Sequence, residues 1–312
     1  MSSKKNNGIR IDETNKKSGL VVKSTGGLYS VEDSDGNITK CRAKGSFRHE
    51  HISPLAGDRV EFVLQDDGSG FIINVNERKN SLIRPAAANI DVLVIVSAVS
   101  DPEPDLFVLD KLSAVASHND IDVLFVFNKS DIKSADELCK IYTDAGFCTV
   151  AISTKEKDAF EKQLSFLHSK LDGKINFFTG SSGVGKSSLI NALFPSLSLE
   201  TGVLSEKIKR GKHTTRVTNL YKVSDNTYIG DTPGFSSLDI AGFGMFMCDE
   251  LLGAFPDIEK YATGCKYKKC THLCEDGCRV VEAVEKGEIP KTRHESFVKL
   301  YNELKEIKPW DK

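Results

Sequence analysis

The 312-residue chain has no apolar run of the length a membrane helix needs. Its first nineteen residues are polar and basic with no apolar core, so no signal peptide is expected. Charge of one sign is not in excess either: 42 Lys and Arg face 44 Asp and Glu, a net of −2. Overall charge therefore gives no sign of a nucleic-acid binder, although a local basic patch remains open. The eight Cys do not read as a disulfide framework, because four of them crowd into residues 265–278. No internal repeat stands out, and nothing suggests an oligomer interface. A cytoplasmic monomer with no membrane partner is expected.

The length leaves room for two or three domains, and 39% hydrophobic residues can fill their cores. Residues 1–17 are expected to form a disordered basic tail. From about 18 to 80, short alternating runs (GLVVKS, GLYSVED, NITKCRAK, DRVEFVL, GFIINVN) are broken by Gly, Asp and Asn turns. This pattern suits a small all-β barrel of about five strands; alternation alone leaves a small β-sandwich open. From residue 89, NIDVLVIVSAV, IDVLFVFN, FCTVAIS and INFFTG are almost continuously apolar, with DLFVLDKLSAVASHN and ADELCKIYTDAG at helical spacing between them. Buried parallel strands alternating with helices predict a doubly wound α/β domain, continuing through TNLYKV and NTYIGDTPG to about 240. Short helical pieces, the Cys cluster and the amphipathic PKTRHESFVKLYNELKEI, opening on Pro290, follow. The expected domains are 18–80, 81–240 and 241–312, the last mostly α-helical.

Gly180-Ser181-Ser182-Gly183-Val184-Gly185-Lys186-Ser187 satisfies G-x-x-x-x-G-K-[ST] directly after the apolar run INFFT, and Ser188 opens a helix-like SLINALF. Glycines in such a loop let backbone N–H groups turn around a β-phosphate, and the helix N-terminus adds its positive end. Lys186 is expected to reach the β- and γ-phosphates and the Ser187 hydroxyl to bind Mg²⁺. In Gly230-Asp231-Thr232-Pro233-Gly234, Asp231 can hold Mg²⁺ through water and the Gly234 N–H can meet a γ-phosphate. GKHTTR (211–216) lies in a polar stretch between, where a Thr would complete the Mg²⁺ shell with GTP and let go after hydrolysis.

Asn128, Lys129 and Asp131 in VFNKSDI form an N-K-x-D tetrad. Its Asp can accept two hydrogen bonds from guanine, adenine has no such donor pair, and Lys129 would lie along the base face. Read alone, the tetrad could equally cap a helix through Ser130 or Asp131. Ser153-Thr154-Lys155 follows the next strand and can offer a backbone N–H to the guanine carbonyl. The base motifs thus precede the phosphate loop, the reverse of the usual order. Ligands of open α/β sheets sit at the carboxyl ends of the strands, so sheet position matters and chain order does not. If the NKSD strand neighbours the phosphate-loop strand, the motifs converge, and the chain is a circularly permuted GTPase. The rotation also sets DTPG almost directly before the C-terminal module, where nucleotide state could be transmitted.

In GCKYKKCTHLCEDGCRV, the ligand set Cys265, Cys270, His272 and Cys278 suits one tetrahedral, structural Zn²⁺ with no position left for water. Cys274 is a fifth candidate or a spare thiol. Lys266, Lys268, Lys269 and Arg279 in the same loop suit phosphate contacts or a solvated face.

Together these residues resemble one family, the circularly permuted, ribosome small-subunit-dependent GTPase A group (RsgA, also called YjeQ or YloQ), over about 18–305. GDRVEF (57–62), R-x-x-x-L-x-R-P from Arg78 to Pro85, NIDVLVIV, NKSD, STK, GSSGVGKSSLIN, GKHTT, DTPGFSSL and the C-x4-C-x-H-x5-C spacing carry it. The resemblance implies an N-terminal OB-fold barrel, a permuted P-loop GTPase domain and a zinc-bearing C-terminal domain. It also implies binding of the small ribosomal subunit and its rRNA late in maturation, and hydrolysis of GTP to GDP stimulated by that particle. The switch departs from the family's GRHTTT at Lys212 and Arg216, which leaves Thr214 or Thr215 as the Mg²⁺ ligand; Thr215 is preferred. Phe235 stands where common GTPases place a catalytic Gln, and a phenyl ring cannot orient water. Catalysis then draws on His213 or on a group from the ribosome, alongside Lys186 and Thr215. Two other readings stay open: an RNA-binding module in which nucleotide is only structural, and a P-loop ATPase with a chance NKSD.

Overall fold

A computed structural model describes residues 15–48, 52–153, 157–197, 218–230 and 246–307. The five alternating runs become β1 (Lys16–Thr25), β2 (Leu28–Asp33), β3 (Ile38–Ala43), β4 (Arg59–Leu64) and β5 (Gly70–Val75). They close in the order β1-β2-β3-β5-β4, with β4 pairing back onto β1, so the sheet is a barrel and the sandwich alternative falls. Alternate residues Val21, Tyr29, Val31, Cys41, Val60, Phe62 and Ile72 point inward and fill it.

The GDRVEF and R-x-x-x-L-x-R-P segments meet at the foot of the barrel. Arg78 grips the buried Asp58 carboxylate through two bonds of 2.8 Å and donates a third to the Ser53 carbonyl. A small ribbon of β6 (Ser81–Leu82) and β7 (Ala87–Ala88), which alternation does not reveal, follows. It passes so close to Gly57 (φ +95°) that a Cβ there would lie 1.9 Å from the Ala88 carbonyl oxygen.

The central layer alternates β8 (Val92–Ala98), α1 (Leu106–His118), β9 (Asp122–Asn128), α2 (Asp136–Asp144), β10 (Cys148–Ala151), α3 (Lys157–Leu171), β11 (Ile175–Thr179) and α4 (Lys186–Leu193). The hairpin β12 (Leu220–Ser224) and β13 (Thr227–Gly230) completes a sheet of order β10-β9-β8-β11-β13-β12. All neighbours are parallel except β12, because the two-residue turn at Asp225-Asn226 (Asn226 φ +57°) can join only antiparallel strands. Strand residues alternate between two cores: Leu93, Ile95, Phe125 and Phe127 pack with Leu109, Leu112 and Tyr142 on one face. On the other, Val94, Val96, Leu124 and Val126 pack with Leu167, Leu171, Leu189 and Ile190. From the centre, β8, β9 and β10 run outward one way and β11, β13 and β12 the other. The crevice between β8 and β11 is therefore the topological switch point where ligands of such sheets bind. Contrary to the expected adjacency, the NKSD strand β9 does not neighbour β11, because β8 stands between them.

Beyond the sheet come α5 (Pro256–Glu259), α6 (Arg279–Glu285) and α7 (Lys291–Leu304), whose buried residues join the α1 side of the core. Arg293, fully buried in α7, donates to both Asp257 oxygens at 3.0 and 2.7 Å and to Asp110 and Ser113 of α1 at 2.9 and 3.0 Å. At the opposite side, Lys222 of β12 pairs with Glu32 of the barrel at 2.7 Å. Among the described residues, no helix is long and apolar enough to cross a membrane.

Candidate nucleotide and metal sites

The phosphate loop leaves β11 at the switch point and bends back over the end of β8. Gly180 passes so near that a Cβ would lie 2.2 Å from the Val96 carbonyl oxygen. Buried Val184 anchors the loop's middle, while Ser181, Ser182 and Gly183 face solvent. Gly185, at φ +91°, occupies the N-cap position of α4, and Lys186, Ser187 and Ser188 form the helix's first turn. Helix starts leave backbone N–H groups without intrahelical acceptors, so this turn offers donors and positive dipole to an anion. The Lys186 ammonium lies 3.5 Å from the Gly180 carbonyl oxygen, across the loop.

The base motif reaches this loop in spite of the intervening strand. Asn128, buried at the end of β9, donates through Nδ2 to the Val184 carbonyl at 2.8 Å, and its Oδ1 accepts the Lys129 N–H at 2.8 Å. Because the loop curls over β8, one amide side chain can span the gap. A Cβ on Gly185 would sit 2.1 Å from that same Nδ2, so the glycine is required by this contact as well as by its φ. Lys129 adopts φ +65° and its ammonium donates to the Asp101 carbonyl. Exposed Asp131 accepts the hydroxyl of buried Ser153 at 2.8 Å, and the Ser130 N–H donates to the Ile152 carbonyl at 3.1 Å. The two base segments are thus tied together with the Asp131 carboxylate facing out. The helix-cap alternative for NKSD falls, since α2 begins at Asp136 behind Ala135.

Thr154, Lys155, His213, Thr214, Thr215, Asp231 and Gly234 lie outside the described residues. The segment Asp101–Asp105, which sequence reading missed, also belongs to the site. Pro102, Pro104 and Asp105 share a small hollow with Thr179, Gly180 and Val184. The signal available was the Pro-x-Pro punctuation of DPEPD directly after an apolar strand.

At the other end of the chain, one ligand atom each from Cys265, Cys270, His272 and Cys278 lies within 4.8 Å of all the others. His272 Nδ1 is 3.7 Å from Cys265 Sγ and 3.6 Å from Cys278 Sγ. A tetrahedral ion bonded at about 2.3 Å to sulfur and about 2.0 Å to nitrogen sets such atoms about 3.6 Å apart. The cluster therefore fits a metal ion, and Cys274, exposed, is outside it. Burial lowers the His272 pKa, keeping the ring neutral with a lone pair to give. Burial, with the nearby Cys278 and Cys265 thiols, pushes Cys270 up to about 12, so ionised thiols gathered here need a cation among them. Glu275 shapes the loop by accepting the N–H groups of Thr271 and Leu273 at 2.6 and 2.9 Å.

A phosphate loop at the switch point, an NKxD motif bonded to it from an earlier strand, and a closed barrel ahead of both define a circularly permuted P-loop GTPase. Comparison with known proteins makes the assignment narrower. Residues 75–241 match the family described as RsgA GTPase, and residues 18–72 match the RsgA N-terminal domain. The chain is 38% identical to the small ribosomal subunit biogenesis GTPase RsgA of Ruminiclostridium cellulolyticum, covering 93% of this chain and 94% of that one. It is 39% identical to the protein of that name from Caldanaerobacter subterraneus, covering 92% and 96%. The crystal structure of YjeQ from Thermotoga maritima superposes with a TM-score of 0.78 at 34% identity, covering 94% of this chain and all of that one. YloQ, described as a circularly permuted GTPase, gives 0.74 at 30% identity, covering 97% and 99%. The chain belongs to the RsgA family of GTPases.

Proposed function

We propose that this chain hydrolyses GTP to GDP, binds the small ribosomal subunit and its rRNA late in that particle's maturation, and leaves it when GTP is hydrolysed. The observation that carries the nucleotide half is the 2.8 Å bond from Asn128 to the Val184 carbonyl, which joins a base-reading motif to a phosphate loop. The ribosomal half is supported by relatives, 38% and 39% identical, that are named small ribosomal subunit biogenesis GTPases.

In this reading Asp131, oriented by Ser153, accepts the two guanine donors; Lys129 lies along the base, and backbone of Ser153, Thr154 and Lys155 meets the guanine carbonyl. Gly180 through Ser188 wrap the phosphates, with Lys186 neutralising the β- and γ-oxygens. Ser187 and Thr215 hold Mg²⁺, with Thr214 as the neighbouring choice and Asp231 acting through water. The ion supplies charge neutralisation on the phosphate oxygens. Gly234 meets the γ-phosphate, and His213 or a ribosomal group orients the attacking water. The metal at Cys265, Cys270, His272 and Cys278 is one structural Zn²⁺, favoured by the three-thiolate, one-imidazole donor set. The barrel, whose first strand begins at Lys16 rather than at residue 18, and the lysines of the metal loop (in 241–312) contact rRNA phosphates around the GTPase domain (81–240). The protein works as a cytoplasmic monomer.

Lys186→Ala is expected to lose nucleotide binding, and Thr215→Ala to bind GTP yet stay on the particle in a sedimentation assay. Release of Thr215→Ala as fast as the parent overturns the hydrolysis-driven scheme. Unchanged subunit-stimulated turnover in His213→Ala removes that residue from catalysis.

A further inference from the structure

Helix α1 touches the nucleotide site at one end and the C-terminal module along its length. Its start, capped by Asp105 accepting the Val108 N–H at 3.2 Å, lies in the hollow shared with the phosphate loop. Leu109 and Leu112 line that hollow, and the residues beside them, Asp110 and Ser113, hold Arg293 of α7. Two outer contacts run parallel to this buried one: Lys111 pairs with Glu303 at 3.0 Å, and the Lys299 ammonium sits 3.7 Å from the centre of the Phe107 ring. Arg293 in turn clamps Asp257 of α5 with two bonds, so α1, α5 and α7 share one fully buried cation. The last turn of α1 meets the chain again: His118 packs 4.9 Å from the buried ring of Phe246.

A buried charge held by carboxylates on two sides has few alternative arrangements, because any shift that parts Arg293 from Asp110 leaves an ion unpaired in the interior. A displacement of α1 is therefore passed to α7 as a rigid step rather than absorbed. The phosphate loop faces this helix across the hollow, where Gly180 and Val184 stand opposite Val108, Leu109 and Leu112.

We propose that α1 and the buried Asp110–Arg293–Asp257 cluster form a coupling element that links occupancy of the phosphate loop to the docking of α7 and the metal-binding module, independently of the DTPG segment. Asp110 and Arg293 are positioning residues in this scheme. They touch no phosphate, and act by fixing where α1 meets the loop. By linkage, nucleotide must then tighten the docking of α7 by the same factor as docking tightens nucleotide binding.

The inference rests on the nucleotide reading above, and hydrogen exchange on the full chain separates the two. Amides of residues 291–304 are followed with and without GDP and Mg²⁺, beside a titration with a fluorescent GDP analogue. The parent is expected to gain at least about fivefold protection in α7 on binding GDP. Asp110→Asn, which keeps an acceptor but removes the charge, is expected to lose that gain and bind GDP more weakly. Ser113→Ala, which deletes one bond to Arg293 and leaves the ions paired, is expected to lose part of it. Leu300→Ala, on the same helix but away from the cluster, lowers stability and is expected to keep the nucleotide-dependent gain. GDP binding by the parent with no change in α7 overturns the coupling alone, as does a full gain in both Asp110→Asn and Ser113→Ala. Loss of the gain in Leu300→Ala to the same degree reduces the cluster to ordinary packing. No GDP binding by the parent overturns the nucleotide reading and the coupling together.

Discussion

Gly185→Ala probes the point where the base motif and the phosphate loop meet. At φ +91° an L side chain is strained by about 1–3 kcal/mol. Its Cβ would also lie 2.1 Å from Asn128 Nδ2, so the amide must move away from the Val184 carbonyl it now bonds at 2.8 Å. Leaving that buried carbonyl without its partner costs about 1–3 kcal/mol more. Asn128→Ala removes the same hydrogen bond, at a similar cost of about 1–3 kcal/mol. In that background Gly185→Ala has no amide to displace and retains only the backbone strain. The double variant should therefore be less destabilised than the sum of the singles by about 1–3 kcal/mol. Urea unfolding of the nucleotide-free proteins, followed by circular dichroism, gives the four midpoints of the cycle. Additivity within about 0.5 kcal/mol would refute the contact as the reason for the glycine.

Ser153→Ala should free the Asp131 carboxylate from its 2.8 Å bond and weaken GDP binding about fivefold, the loss of roughly 1 kcal/mol, in a fluorescent-analogue titration. Unchanged affinity would mean that Asp131 needs no such support. Cys278→Ser should abolish the single bound metal in elemental analysis while Cys274→Ser keeps it; metal loss in Cys274→Ser would contradict the ligand set. In the barrel, the Lys17 ammonium at 2.8 Å and then the Asn37 N–H hold the Asp33 carboxyl down to about 2. Its folded pKa lies below the unfolded value near about 4, so this stabilisation is present above about pH 4 and is lost as pH falls towards 2. Asp33→Asn should remove that part of the acid sensitivity in a circular dichroism titration, and an unaltered acid profile would count against it.

Much of the architecture was legible because burial leaves a period in the sequence. The barrel strands alternate, and the strands β8, β9 and β11, buried on both faces, are continuous apolar runs. Phosphate loop, NKSD and Cys/His cluster were legible because each needs particular side chains at fixed spacing. Which strands adjoin was not, since adjacency depends on where crossover helices pack. The NKSD strand turned out to be one place removed from β11, and a bent-back loop makes up the distance. Arg293 was missed for a different reason: a single Arg in an amphipathic helix reads as solvated. Its position with Ser296, Phe297, Leu300 and Leu304 on the buried face of α7 was the available signal. The role of Asp58 and Arg78 was hidden because 20 residues separate partners that only the closed barrel brings together. The antiparallel β12 was foreshadowed by the Asp-Asn pair in its turn.

GTP and ATP turnover, each measured with and without purified small ribosomal subunits, distinguishes a subunit-stimulated GTPase from a protein that only binds nucleotide or does not select guanine. Slow hydrolysis of GTP alone, strong stimulation by the subunit and little turnover of ATP in either condition are expected. Equal turnover of the two nucleotides, or GTP hydrolysis indifferent to the subunit, would contradict the proposed function.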